Sequence, residues 1–158
     1  MTHMPRRTFL KATLAGGVAA AAAGTGLLAP NTAAAAEWPR QAFTSKTVQD
    51  VLTNLFGSSN TIPSDAIYIK APTIAENGAV VPIVVNTKLP KVQRISVIVE
   101  KNAQPLAANL DLGSRSSGYF QARVKMGQTS DVHVAVKSDG KVYIAKQNIK
   151  VTVGGCGG

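Results

Sequence analysis

This chain of 158 residues contains one cysteine, Cys156. No disulfide can form within a single copy, although a thiol remains for another chain or for a covalent cargo. Histidine is almost as scarce, with His3 near the start and His133 far along. A structural zinc site takes four ligands of the Cys/His type and a catalytic one takes three, so the residue supply argues against either. Aromatic side chains make up 5% of the chain, which leaves no stacking platform for nucleic-acid bases. Acidic residues are also few: 8 Asp and Glu stand against 17 Lys and Arg, a net charge of +9. The cations are scattered rather than blocked, which suits a solvated basic surface or anionic partners more than a nucleic acid. The glycine signatures of nucleotide sites and the Gly-x-Ser-x-Gly elbow of hydrolases are missing. A Ser–His–acid arrangement stays open on residue count alone. The stretch Gly113–Gly118, GSRSSG, reads most simply as a polar loop.

The first 36 residues are organised for export. Arg6 and Arg7 are followed by Phe9, Leu10 and Lys11, then by an Ala/Gly/Leu stretch without an acidic residue, and then by Ala33 to Ala36. A basic region, an apolar region and an Ala-x-Ala-type end make a signal peptide. A membrane anchor needs about 20 strongly apolar residues, and this run is too rich in alanine and glycine. The Arg pair before Phe-Leu-Lys is similar to a twin-arginine signal, with Pro5 where Ser or Thr is usual. Residues 1–36 are therefore expected to be cleaved, leaving a mature protein in the periplasm. Losing Arg6, Arg7 and Lys11 leaves 14 basic against 8 acidic residues, a mature net charge of +6.

Residues 37–153 are expected to form one domain. It opens with a helix: in TSKTVQDVLTNLFG, Val48, Val51, Leu52, Leu55 and Phe56 share one face. Thr44 or Ser45 is placed to cap its start and Gly57 to end it. After Pro63 the pattern is β. Asn77-Gly78 marks a hairpin turn, because both residues tolerate positive φ. One strand places Ile95, Val97 and Val99 on a face, and the next places Leu106, Leu110 and Leu112 together. Further strands turn Phe120, Ala122, Val124 and Met126 inward, then Val132, Val134 and Val136. His133 falls opposite those valines, as an ordinary exposed or half-buried strand residue. A three-residue loop, Ser138-Asp139-Gly140, would set Val136 against Val142 and Val134 against Ile144. The later switch of apolar parity to Ile149, Val151 and Val153 predicts a bulge within Ala145–Asn148. The whole predicts a mainly β protein, an immunoglobulin-like antiparallel β-sandwich of about seven strands, with one short helix before it. Antibody-type Cys…Trp…Cys packing is absent, since the one tryptophan is Trp38.

The chain then runs VTVGGCGG. Residues 154–158 are expected to form a flexible arm. Gly154, Gly155, Gly157 and Gly158 make it as narrow as bare backbone. From Val153 the thiol can travel about 10 Å. Nothing nearby in sequence activates Cys156: the nearest cation is Lys150, and a free thiol titrates near ~8.5. A partner must do so. No resident cofactor, metal site or catalytic residue is expected; the chemistry is covalent attachment at Cys156.

With its Val-Gly-Gly-Cys-Gly-Gly tail, IAENGAVVP segment and twin-arginine-type signal, the chain resembles the SoxY family of the bacterial sulfur-oxidation (Sox) pathway. The resemblance implies a carrier rather than an enzyme, with Cys156 holding thiosulfate-derived sulfur. It implies a heterodimer with a second sandwich subunit, SoxZ. Three working partners follow from it: a haem-containing enzyme that conjugates thiosulfate, a hydrolase that releases sulfate, and a sulfane dehydrogenase. From the residues alone, three other readings stay open. One is a ubiquitin-like carrier ending in Gly-Gly, which would need ATP and no cysteine. Another is a module whose Cys156 only makes an intermolecular disulfide. The third is an exported binding domain.

Overall fold

A computed structural model describes residues 38–152. Two helices come first: α1 (Arg40–Thr44) and α2 (Val48–Phe56). Nine strands follow: β1 (Ile62–Pro63), β2 (Ile67–Lys70), β3 (Ile74–Ala75), β4 (Val81–Thr87), β5 (Val92–Val99), β6 (Leu106–Asp111), β7 (Tyr119–Val124), β8 (Ser130–Ser138) and β9 (Lys141–Val151). They form two sheets. The larger has the order β1-β9-β8-β5-β6, with β3 also pairing with β9, and the smaller has the order β2-β4-β7. The seven strands longer than two residues pair antiparallel, as the sequence predicts. The two-residue β1 and β3 both add to β9 in parallel.

The main core lies between the sheets. Ile83, Val85, Ile95, Val97, Val99, Met126, Val132, Val134, Val136 and Ile149 are all completely buried there. Nearly all are β-branched, the type that packs best on a pleated face. A second cluster covers the other face of the large sheet. Val51, Leu52 and Leu55 of α2, with Ala42 of α1, pack on Ile98, Leu106 and Ala135, and Val142 and Ile144 lie against them. The large sheet is therefore apolar on both faces in its middle, and β5 is buried without alternation from Ile95 to Val99. Arg94 ties the helical layer down. Its Nη1 donates to the Leu55 carbonyl at the end of α2 (2.6 Å), and its Nε donates to Asp111 (2.5 Å).

Helix α2 carries the expected face and ends at Gly57 with φ 79°. Its cap, however, is Thr47, whose hydroxyl oxygen accepts from Asp50 N–H (3.1 Å). The Thr44 hydroxyl instead donates to the Arg40 and Gln41 carbonyls, and the Ser45 hydroxyl to the Gln41 carbonyl, closing the C-terminal end of α1. Helix α1 has five residues, too few for an apolar period to show in sequence.

Three expected details of the sheets are corrected. The turn between β8 and β9 has two residues, Asp139 (φ 49°) and Gly140 (φ 78°). Val136 thus faces Tyr143, and Val134 faces Ala145. The helical layer explains why: Val142 and Ile144 are partly buried against it on the outer face, so they need not meet the core valines. The same fact removes the bulge expected in Ala145–Asn148, where β9 pairs with β8 without a break. Its apolar parity changes because the covering layer changes, not the backbone. A bulge does occur on β6, where Ala108 lies opposite Val97 and Leu106 opposite Ile98. The extra residue turns Leu106 toward the helices, away from the face it was expected to share with Leu112.

Asn77-Gly78 does not join two paired strands. β3 pairs with β9, and β4 pairs with β2 and β7. Asn77 Oδ1 accepts from Ala79 N–H (2.9 Å), a local turn. Gly78 is buried in that turn for lack of space rather than for positive φ. A Cβ there would lie 2.4 Å from the Met126 carbonyl oxygen and 2.8 Å from Val151 Cγ1.

Candidate functional site

The residues singled out in sequence, Cys156 with Gly154, Gly155, Gly157 and Gly158, and the signal residues Arg6, Arg7, Phe9 and Leu10, lie outside the described residues. What the structure places is the base from which the tail leaves. Strand β9 is held on both sides at its end. On one side Lys150 N–H donates to Thr73 O (3.0 Å) and Thr152 N–H to Ala75 O (3.1 Å). The Thr152 hydroxyl also reaches Glu76 O (3.4 Å). On the other side Val151 N–H donates to the Thr129 hydroxyl (3.0 Å). Beneath, the 76–80 turn is pinned by Met126 N–H donating to Gly78 O (2.7 Å). The backbone is thus fixed up to Thr152, four residues before the thiol.

Sequence reading missed this clamp. A parallel pairing two residues long has no periodicity to detect, and Ile74-Ala75 looked like one arm of a hairpin. The single local hint was Gly78, whose role was read as a turn dihedral.

Among the described residues, Glu100, Asp131 and His133 bring their ligand atoms within 4.8 Å of one another. Each has a partner: His133 Nε2 lies 2.9 Å from Glu100 Oε2, and Asp131 accepts from Asn148 (2.6 Å) and Lys146 (3.1 Å). Those hydrogen bonds, with that from Asn148 foremost, hold the Asp131 carboxyl below its ordinary pKa. This is an ion-pair network on the outer face of β5, β8 and β9. His133 is largely covered, with 15% of its side chain exposed. A depression of about 460 Å³ beside it is lined by Ser64, Asp65, Ile67 and Lys146 among others. The Ser64 hydroxyl oxygen accepts from Ala66 N–H (3.2 Å), and no bond to His133 prepares it as a nucleophile.

The family model described as sulfur oxidation protein SoxY matches residues 52–156. The chain belongs to the SoxY family. The match spans most of the domain and ends on Cys156. Among solved structures, the sulfur carrier protein SoxY from Chlorobium limicola f thiosulfatophilum is similar at 39% identity, with a TM-score of 0.61, over 66% of this chain and 94% of that one. A superoxide reductase (neelaredoxin) from Ignicoccus hospitalis aligns over 58% of this chain and 95% of that chain, with a TM-score of 0.52 at 10% identity. At that identity it shares the sandwich fold alone. No curated protein matches the chain. Membership of the SoxY family agrees with the resemblance read from the tail, and the two-sheet architecture agrees with the immunoglobulin-like sandwich predicted from the strand pattern.

Proposed function

We propose that this protein is a periplasmic sulfur carrier of thiosulfate oxidation, exported by the twin-arginine route on Arg6 and Arg7. Cys156 is the attachment point. The observation that carries the reading is the family match running through Cys156, on a tail whose root is clamped at Thr152.

Loading joins the Cys156 thiol to thiosulfate. An S–S bond forms, one proton leaves, and an electron pair passes to the haem of the conjugating enzyme. Water then cleaves the terminal S–S bond, releasing sulfate and leaving a persulfide on Cys156. The sulfane dehydrogenase accepts the electrons as that outer sulfur is oxidised to a sulfonate, with oxygen from water and the protons released to solvent. A final hydrolysis returns the thiol and a second sulfate. The carrier acts as a protein-bound substrate, and its own contribution is presentation. Gly154, Gly155, Gly157 and Gly158 keep the arm narrow enough to enter each enzyme.

A SoxZ-like subunit completes the carrier as a heterodimer. The outer face of β2-β4-β7 supports this: Tyr68 and Tyr119 flank Asn86 in register, and both tyrosines are half exposed. No acidic residue occurs on these three strands.

Mass spectrometry of the C-terminal peptide tests the reading. Incubation of the heterodimer with thiosulfate and the conjugating enzyme should add the mass of a thiosulfonate group to Cys156. Cys156→Ser should fold and bind its companion unchanged and carry nothing, because an alcohol cannot form the S–S bond. A tail that stays unmodified, or one found only as a disulfide dimer, refutes the carrier role.

A further inference from the structure

The root of the tail is ringed by an exposed surface that the fold does not require to be apolar. Ile74 is 55% exposed and Val80 is 51% exposed. Ile74 lies beside Lys150 in register on β3 and β9, while its neighbour Ala75 does the inward packing. Val80 lies two residues after Gly78, where a Cβ would stand 2.8 Å from Val151 Cγ1. Glu76, Lys150 and Thr129 complete the ring, all exposed. A polar residue in place of Ile74 or Val80 would serve the sheet equally well.

Chain length says what covers this ring. Cys156 lies four residue steps beyond Thr152, and at ~3.3–3.6 Å each they span at most about 14 Å. A channel wall one secondary-structure element thick takes about 10 Å of that. What remains is ~4 Å, one van der Waals contact. Any enzyme whose reacting atoms sit behind a single structural layer must therefore touch the ring when it reaches the thiol. A permanently bound subunit seated there would close the same path, so the ring belongs to transient partners.

We propose that the enzyme conjugating thiosulfate to Cys156 docks its channel mouth on this collar, with Ile74 and Val80 against an apolar rim and Lys150 against an acidic group. This rests on the carrier reading above and adds the surface by which the carrier is recognised. Two apolar anchors inside a polar rim suit a small contact that must release between steps.

The test uses the mature heterodimer and the purified conjugating enzyme. Ile74→Ser and Val80→Ser should each raise the KM for carrier about tenfold, equivalent to about 1.4 kcal/mol, with kcat within a factor of two. Labelling of Cys156 by iodoacetamide should be unchanged. Ile62→Ser is the control: Ile62 is also exposed, on β1 beside Tyr143, about 26 Å back along β9 from Val151. It should load as wild type. Inserting four glycines after Thr152 should remove most of the Ile74→Ser effect, because the mouth no longer has to meet the ring. Wild-type KM in both collar variants, or an equal rise in Ile62→Ser, overturns the collar while leaving the carrier intact. A wild-type protein that is never loaded at Cys156 overturns the collar and the carrier reading together.

Discussion

Replacing Gly78 by alanine should destabilise the domain by a mechanism that the local sequence does not suggest. The added Cβ would stand 2.4 Å from the Met126 carbonyl oxygen and 2.8 Å from Val151 Cγ1. The first contact is with backbone, so the 76–80 turn has to move away. Overpacking of this kind costs ~1–3 kcal/mol. Moving the turn also stretches the bond from Met126 N–H to Gly78 O, at ~0.5–1.5 kcal/mol. The expected loss is about 2–4 kcal/mol. An ordered domain of about 115 residues loses ~4 °C per kcal/mol, so the melting temperature should fall by roughly 8–16 °C. Gly57 supplies the contrast. It has φ 79° and nothing within 4 Å of a built Cβ, so Gly57→Ala costs only the left-handed backbone penalty of ~1 kcal/mol. Asparagine, which tolerates that conformation, should recover much of the loss at position 57 and none at position 78. Thermal and urea unfolding of the four variants decides between them. A Gly78→Ala protein within 0.5 kcal/mol of wild type, or recovery by Gly78→Asn, would refute the close-approach argument and restore the turn-dihedral one.

Two further outcomes are expected. Gly155→Val and Gly157→Val should leave the melting temperature and small-reagent labelling of Cys156 unchanged but slow enzymatic loading about tenfold or more, because a branched Cβ widens the arm and restricts its dihedrals; loading at the wild-type rate would remove the narrow-arm argument. Asp131 has a lowered folded pKa, so its bonds to Asn148 and Lys146 add stability that is complete above the ordinary carboxylate range and is lost as pH falls through the folded value, below about pH 4. Urea midpoints measured at pH 7 and pH 3 should differ less in Asp131→Asn than in wild type, and an unchanged difference would mean that the network carries no pH-linked stability.

Much of this protein is legible residue by residue, because its rules act over short distances. The face of α2 repeats every third or fourth residue, and the inward valines of β8 repeat every second. Each periodicity follows from local backbone geometry, and each is found where it was read. The tail is legible for a different reason: a lone thiol between glycines is an uncommon pattern, and the SoxY family it suggested is the family whose model matches residues 52–156. Tertiary structure decided what depends on a second layer. Apolar parity along β9 changes because α1 and α2 cover the outer face of the large sheet near Val142 and Ile144 but not beyond. A reader of one strand sees the change and infers a bulge. The β8–β9 turn was misassigned for the same reason, since Tyr143 and Ala145 face the core while Val142 and Ile144 face the helices. The arm's root was out of reach as well. β3 meets β9 across some 75 positions of sequence, and a pairing that distant, two residues long, leaves no local trace beyond a glycine with no room for a side chain.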